Sequence, residues 1–126
     1  MDRLLSYYYK LLRELHSDFL RYIYFKIDWN SRMIGLTGPR GVGKTTLILQ
    51  HIKKDLNPDE AIYVTAEDFY FADNKLLDLA DELVKKGIKY LFIDEIHYQN
   101  FYEFPKFRIK LLILILLHFN IVRIIY

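Results

Sequence analysis

The chain has 126 residues, enough for one domain with one modest core. With 52% apolar and 17% aromatic residues it is no unfolded tail, and a net charge of +2 spread without a lysine/arginine block gives no call for nucleic acid. Cysteine is absent, which excludes disulfides and cysteine-bound metal and fits a reducing, cytoplasmic setting.

Asp2, Arg3, Lys10, Arg13 and Glu14 break up the first residues, so no signal peptide is expected. Leu4, Leu5, Tyr8, Leu11, Leu12, Leu15, Phe19, Tyr22 and Ile23 recur at helical spacing, which predicts one amphipathic helix over 2–24. We divide the chain into this N-terminal helix, 1–26, and a partial nucleotide-binding core, 27–126. A turn at 27–31 leads to a first strand at about 32–37, a glycine-rich loop, and a helix from Lys44 to about Leu56. Asn57-Pro58-Asp59 stops that helix. A second strand is expected at 61–65, a helix at about 74–86 with Gly87 as its stop, and a third strand at 88–93. The spacing then predicts a helix over 101–118, interrupted at Pro105, and a fourth strand at 121–125. Leu111–Leu117 is the most apolar run, too short for the roughly 20 residues that a membrane-spanning helix needs. Strands alternating with helices argue for an α/β three-layer sandwich on a mostly parallel sheet of about four strands.

Two motifs carry the chemistry. Residues 38–45, Gly-Pro-Arg-Gly-Val-Gly-Lys-Thr, complete the phosphate-binding (Walker A) pattern G-x-x-x-x-G-K-[ST] between a strand and a helix. Gly38, Gly41 and Gly43 free the backbone, so that the loop of Gly38, Pro39, Arg40, Gly41, Val42 and Gly43 can aim its amides at phosphate. Lys44 is placed for the β- and γ-phosphates, Thr45 for Mg²⁺, and Thr46 as a further phosphate donor. Tyr90-Leu91-Phe92-Ile93-Asp94-Glu95 reads as a buried strand ending in two carboxylates (Walker B) at the ligand-binding edge of a parallel sheet. Asp94 is the expected second metal ligand, and Glu95 the residue that orients and deprotonates a water.

With both motifs placed, residues 27–98 resemble the bacterial and archaeal AAA-type P-loop ATPases that carry a C-terminal domain of unknown function. The resemblance rests on Ile27-Asp28-Trp29, on 35–46, on Ile62-Tyr63-Val64, on 76–81, and on the segment 89–97 with its Asp94-Glu95-Ile96-His97 ending. It implies ATP binding and hydrolysis, with Lys44 and Glu95 catalytic and Asp94 on Mg²⁺. It also implies that the strand after Walker B lies between the Walker A and Walker B strands. The expected occupant is 121–125, which leaves the Walker A strand as an exposed edge open to self-association or a partner protein. No sensor signature appears in 120–126, and no arginine finger can be assigned. From about Phe101 the text turns to Leu, Ile, Phe, Asn and Lys, as an AT-rich gene yields out of frame, so a truncated or frame-shifted ATPase is the expectation.

Alternatives stand beside this one. The chain could be a nucleotide-binding or interaction module without turnover, docking through its first helix or apolar tail. A helicase-like motor is weakened by the chain's length and the lack of a basic groove. A small-molecule kinase is weakened by the lack of lid arginines. His97 reads as a γ-phosphate sensor or a structural residue, Trp29 as an adenine platform or core. Glu67-Asp68 reads as a metal approach or a solvated turn, and Tyr7-Tyr8-Tyr9 as two surface tyrosines flanking a buried one. His16, His51 and His118 lack metal-ligand spacing.

Overall fold

A computed structural model of the chain describes residues 1–16, 19–31, 33–37, 43–96 and 111–116. In chain order these form α1 (Asp2–Glu14), a 3₁₀ turn (Tyr22–Lys26), β1 (Met33–Thr37), α2 (Lys44–Asp55), a 3₁₀ turn (Pro58–Glu60), β2 (Ala61–Thr65), α3 (Tyr70–Asp73), α4 (Leu76–Lys85), β3 (Tyr90–Ile96) and β4 (Leu111–Leu116). The four strands make one parallel sheet in the order β1-β4-β3-β2.

The strands form because short apolar runs can be buried on both faces only in such a sheet. Ala61, Ile62, Tyr63 and Val64 are all buried, as are Leu91, Phe92 and Ile93 beside them. Ile48 and Ile52 of α2 and Leu79 and Leu83 of α4 are fully buried within the same core. From α1 the stripe Leu4, Tyr8 and Leu12, at helical spacing, joins it. The Tyr8 hydroxyl donates to the Pro58 carbonyl (2.9 Å) and that of Tyr9 to Asp59 (2.8 Å), which seats α1 over the turn before β2. Burial pushes the Tyr8 phenol well above its ordinary range. Tyr7 is exposed, Tyr8 buried and Tyr9 half-buried.

α4 stops where its glycine requires. Gly87 sits at φ +87, and the Gly87 and Ile88 amides close back on the carbonyls of Val84 and Leu83, both at 3.0 Å. This pairing is the Schellman motif, and its left-handed residue favours glycine for backbone reasons alone, since a Cβ at Gly87 would meet nothing within 4 Å.

Three expectations are corrected. The first helix ends at Glu14, not near 24, with Leu15 already extended. Phe19, Tyr22 and Ile23, read as part of its apolar stripe, are exposed. Hydrogen bonds to α2, described below, take over that segment and turn it away from a helical course. The helix at 74–86 is shorter at both ends and preceded by the separate single turn α3. Most consequentially, 111–116 is a strand, not part of a helix over 101–118. An unbroken apolar run has no period that separates a buried strand from a buried helix segment. β4 fills the slot between β1 and β3 that the family resemblance implies, but with 111–116 instead of 121–125, which lies outside the described residues. Among the described residues no helix is long and apolar enough to cross a membrane.

Candidate functional site

The parallel register brings three chain segments to one edge of the sheet. Thr65, ending β2, lies opposite Asp94 of β3. Thr37, ending β1 just before the glycine-rich loop, pairs with Leu116 of β4, which also pairs with Ile96. The end of the Walker A strand and the end of the Walker B strand therefore flank β4 at the same level.

Gly43 is the N-cap of α2 at φ 91, ψ 23, a left-handed conformation that glycine adopts without a side-chain clash. Its carbonyl accepts from the Leu47 amide at 3.0 Å and opens the helix. Lys44, Thr45 and Thr46 make the first turn, where an α-helix presents amides with no acceptor inside the helix and the positive end of its dipole. Lys44 and Thr45 are half-buried and Thr46 is exposed. Gly38, Pro39, Arg40, Gly41 and Val42 lie outside the described residues, as do His97 and His118.

Asp94 is 6% exposed and fully engaged. Its Oδ2 accepts from the Thr45 hydroxyl at 2.7 Å and from the Tyr63 hydroxyl. Its Oδ1 accepts from the Glu95 amide at 2.8 Å, and its main-chain carbonyl from the Ala66 amide at 2.9 Å. A carboxylate this buried requires such partners, because an unpaired one would cost several kcal/mol (order of magnitude). The Thr45 contact joins the end of the phosphate motif to the end of the Walker B strand.

β3 does not run regularly into this edge. Ile93 pairs with Leu114 and Ile96 with Leu116, so Asp94 and Glu95 together face a single β4 residue. This is a bulge, and Glu95 sits in it at φ 57. Regular strands send adjacent side chains to opposite faces; the bulge breaks that alternation at Asp94 and Glu95. A left-handed non-glycine residue costs on the order of 1–3 kcal/mol, and such strain gathers at functional sites.

Tyr63 was not singled out from the sequence. Its hydroxyl reaches Asp94 from β2, and burial, then the Asp94 carboxylate, push its phenol far above the ordinary range. The continuous apolar run of β2 marks Tyr63 only as core, and its polar end becomes visible once β2 is paired with β3.

The other candidates go elsewhere. Trp29 stacks on His51 with ring centroids 3.9 Å apart and planes at 12°, and its indole N–H donates to the Tyr24 carbonyl at 2.9 Å. It is partly buried and packs against the core. Asp68 accepts from Arg3 (2.9 Å) and from the Tyr70 amide (2.9 Å), as a turn residue does. Among the described residues no group of three or more His, Asp or Glu side chains is arranged to hold a metal.

Comparison with known proteins bears on these motifs together. A model of the AAA domain family matches residues 30–107, more than half of the chain. The chain belongs to the AAA domain family. The matched span holds both motifs, the β1-to-β3 core and the bulge, so this AAA domain is of the nucleotide-binding P-loop type. The match ends at residue 107 and does not bear on a C-terminal domain. No curated protein and no solved structure matches the chain.

Proposed function

We propose that this AAA domain binds ATP with Mg²⁺ and hydrolyses it. The observation that carries the reading is the 2.7 Å contact between Thr45 Oγ1 and Asp94 Oδ2. A hydroxyl and a buried carboxylate, delivered by two motifs far apart in sequence, meet at the sheet edge where α/β folds bind ligands. Both are hard oxygen donors of the kind Mg²⁺ takes beside phosphate oxygens. The residues therefore fit the ion, and Thr45 and Asp94 are its proposed ligands. Bound there with the nucleotide, Mg²⁺ would offset the charge that develops on the phosphate oxygens.

The chain's own groups do the rest. Gly38, Pro39, Arg40, Gly41, Val42 and Gly43 are the proposed phosphate cradle, with Lys44, Thr45 and Thr46 at the helix N-terminus behind it. The Lys44 ammonium holds the β- and γ-phosphates. Glu95, at the bulge, orients and deprotonates the attacking water. Tyr63 holds Asp94 in place through Oδ2.

The first test is thermal unfolding of the full chain with and without Mg·ATP. A ligand at 100 times its dissociation constant adds about 2.7 kcal/mol. The expected result is a shift that Lys44→Ala abolishes. Phosphate release should then fall by orders of magnitude in Glu95→Gln while the ATP-induced shift persists. No shift in the folded wild-type chain would end the nucleotide reading. A shift without phosphate release from the wild type would leave a binding module without turnover.

A further inference from the structure

The segment between α1 and β1 carries an aromatic face that the nucleotide reading does not use. Phe19, Tyr22, Ile23 and Phe25 are 76%, 73%, 47% and 66% exposed. They are four of the seven large apolar side chains exposed among the described residues, so the exposure is concentrated here and not scattered.

α2 holds that face outward. The buried Gln50 side chain donates to the Phe19 carbonyl at 2.8 Å. The Tyr24 hydroxyl donates to Asp55 and lies 3.2 Å from His51 Nδ1, both on the same helix. Tyr24 is therefore turned inward, at 4% exposure. Side chains three apart eclipse in a 3₁₀ helix, so the turn Tyr22–Lys26 has three rows. One row is Tyr24. The others pair Tyr22 with Phe25 and Ile23 with Lys26, and all four are exposed. Capture of the backbone and of Tyr24 thus dictates that its apolar neighbours face solvent.

Cations accompany the rings. Lys26 Nζ lies 5.0 Å from the centroid of the Tyr22 ring, and Lys54 Nζ lies 5.8 Å from that of Phe25. No residue from 19 to 27 is acidic. Asp28, which follows, accepts from the Asn30 amide and the Ser31 hydroxyl of its own turn, and Asp55 is held by Tyr24. Asp18 lies outside the described residues. The Arg21 side chain leaves the face, with Nη1 3.2 Å from a Cβ built on Gly43.

Rings with ammonium groups at their faces match a bilayer surface that carries anionic headgroups. The rings enter the boundary between headgroups and acyl chains, and the ammonium groups stay at the phosphates. A protein partner fits the area less well. At these exposures the four side chains offer roughly 500 Å², short of the roughly 800 Å² that each side of a standard protein interface buries.

We propose that the face formed by Phe19, Tyr22, Ile23, Phe25, Lys26 and Lys54 is a peripheral membrane-binding surface for anionic lipid. It stands independently of the nucleotide reading.

The test is co-sedimentation of the full chain, without nucleotide, with vesicles of phosphatidylcholine and phosphatidylserine in equal parts and with vesicles of phosphatidylcholine alone. The wild type should sediment with the mixed vesicles and far less with phosphatidylcholine. The double variant Tyr22→Ser/Phe25→Ser should lose at least about tenfold in affinity, as expected for two rings withdrawn from an apolar boundary. Lys26→Gln/Lys54→Gln should lose about fivefold per lysine on the mixed vesicles only. Phe69→Ser, which removes an exposed ring outside the face, should bind like the wild type. All variants should melt close to the wild type, because the replaced side chains face solvent. A folded wild type that does not sediment overturns the proposal. Undiminished binding by Tyr22→Ser/Phe25→Ser overturns it too, as does an equal loss in Phe69→Ser or equal affinity for phosphatidylcholine alone. Dimerisation without lipid that the aromatic variant abolishes assigns the face to a second copy of the chain and also overturns it. If the double variant does not fold, Phe19→Ser decides by the same comparison, since Gln50 holds the Phe19 carbonyl and not its ring.

Discussion

The two ends of α2 are built in opposite ways. At its N-terminus the helix starts from a left-handed glycine, and Lys44 and Thr45 remain partly open to solvent. In its second half Gln50, His51 and Ile52 are buried, and Tyr24, Trp29 and Asp55 close over His51 in stacked rings and hydrogen bonds. One end carries half-buried lysine and threonine side chains at the first turn; the other satisfies its polar atoms in the body of the chain. The same helix can thus present a charged site at one end because it is clamped at the other.

This contrast can be broken by substitution. The largest effect is expected at the clamped end, where Ile52→Ala should cost about 2–5 kcal/mol. Its melting temperature should fall by a similar amount with and without Mg·ATP; a loss seen only with nucleotide would contradict the division. Next is Lys44→Ala at the open end, which should erase the nucleotide-dependent gain of about 2.7 kcal/mol at saturating ligand. Because Lys44 is not part of the packed core, the unliganded protein should melt close to wild type. Tyr63→Phe comes third. Losing its hydroxyl from Asp94 should lower stability by about 1 kcal/mol in denaturant titration. More Mg²⁺ should also be needed for half-maximal ATP binding, and an unchanged Mg²⁺ requirement would leave Tyr63 a core residue only.

The smallest effect is a pH dependence of the clamp. Burial lowers the His51 pKa below its ordinary value, while Asp55 works in the opposite direction. A histidine held below its unfolded pKa binds its proton more readily when unfolded. Its contribution is therefore complete above about pH 6.5 and is lost as pH falls through the lowered folded value. The groups facing it are Asp55 and Tyr24. The Asp55 carboxyl is held below its ordinary range first by the Tyr24 hydroxyl, so it titrates in a more acidic window. Chemical denaturation between pH 7.5 and 5 should show a loss that His51→Phe removes. A slope that persists in that variant would assign the effect to other groups.

Much of the site was readable beforehand, for local reasons. The start of α2 at Lys44 and the span of β2 at 61–65 appear where the glycine-rich pattern and the Asn57-Pro58 break put them. Asp94 and Glu95 stand at the end of β3 as an apolar run closing on two carboxylates implies. The misjudged places share a different cause. The expected helix over 101–118 fails at β4 because Leu111–Leu116 reads the same in a buried strand and a buried helix, and only pairing with β1 and β3 chooses. The stripe at Phe19, Tyr22 and Ile23 continues a helical period, but Gln50 and Asp55 on another element capture the backbone and Tyr24 instead.

By itself the sequence determined the P-loop class, the motifs, and the elements whose periodicity or breakers are local. Those signals act between residues a few positions apart, where glycine, proline and apolar spacing dictate the backbone directly. Only the tertiary structure decided which run fills the slot between β1 and β3, that Tyr63 anchors Asp94, that Glu95 occupies a bulge, and that Arg21 stands over Gly43. Each of these is a meeting of residues distant in the chain, set by pairing and burial across elements, and no local pattern encodes it.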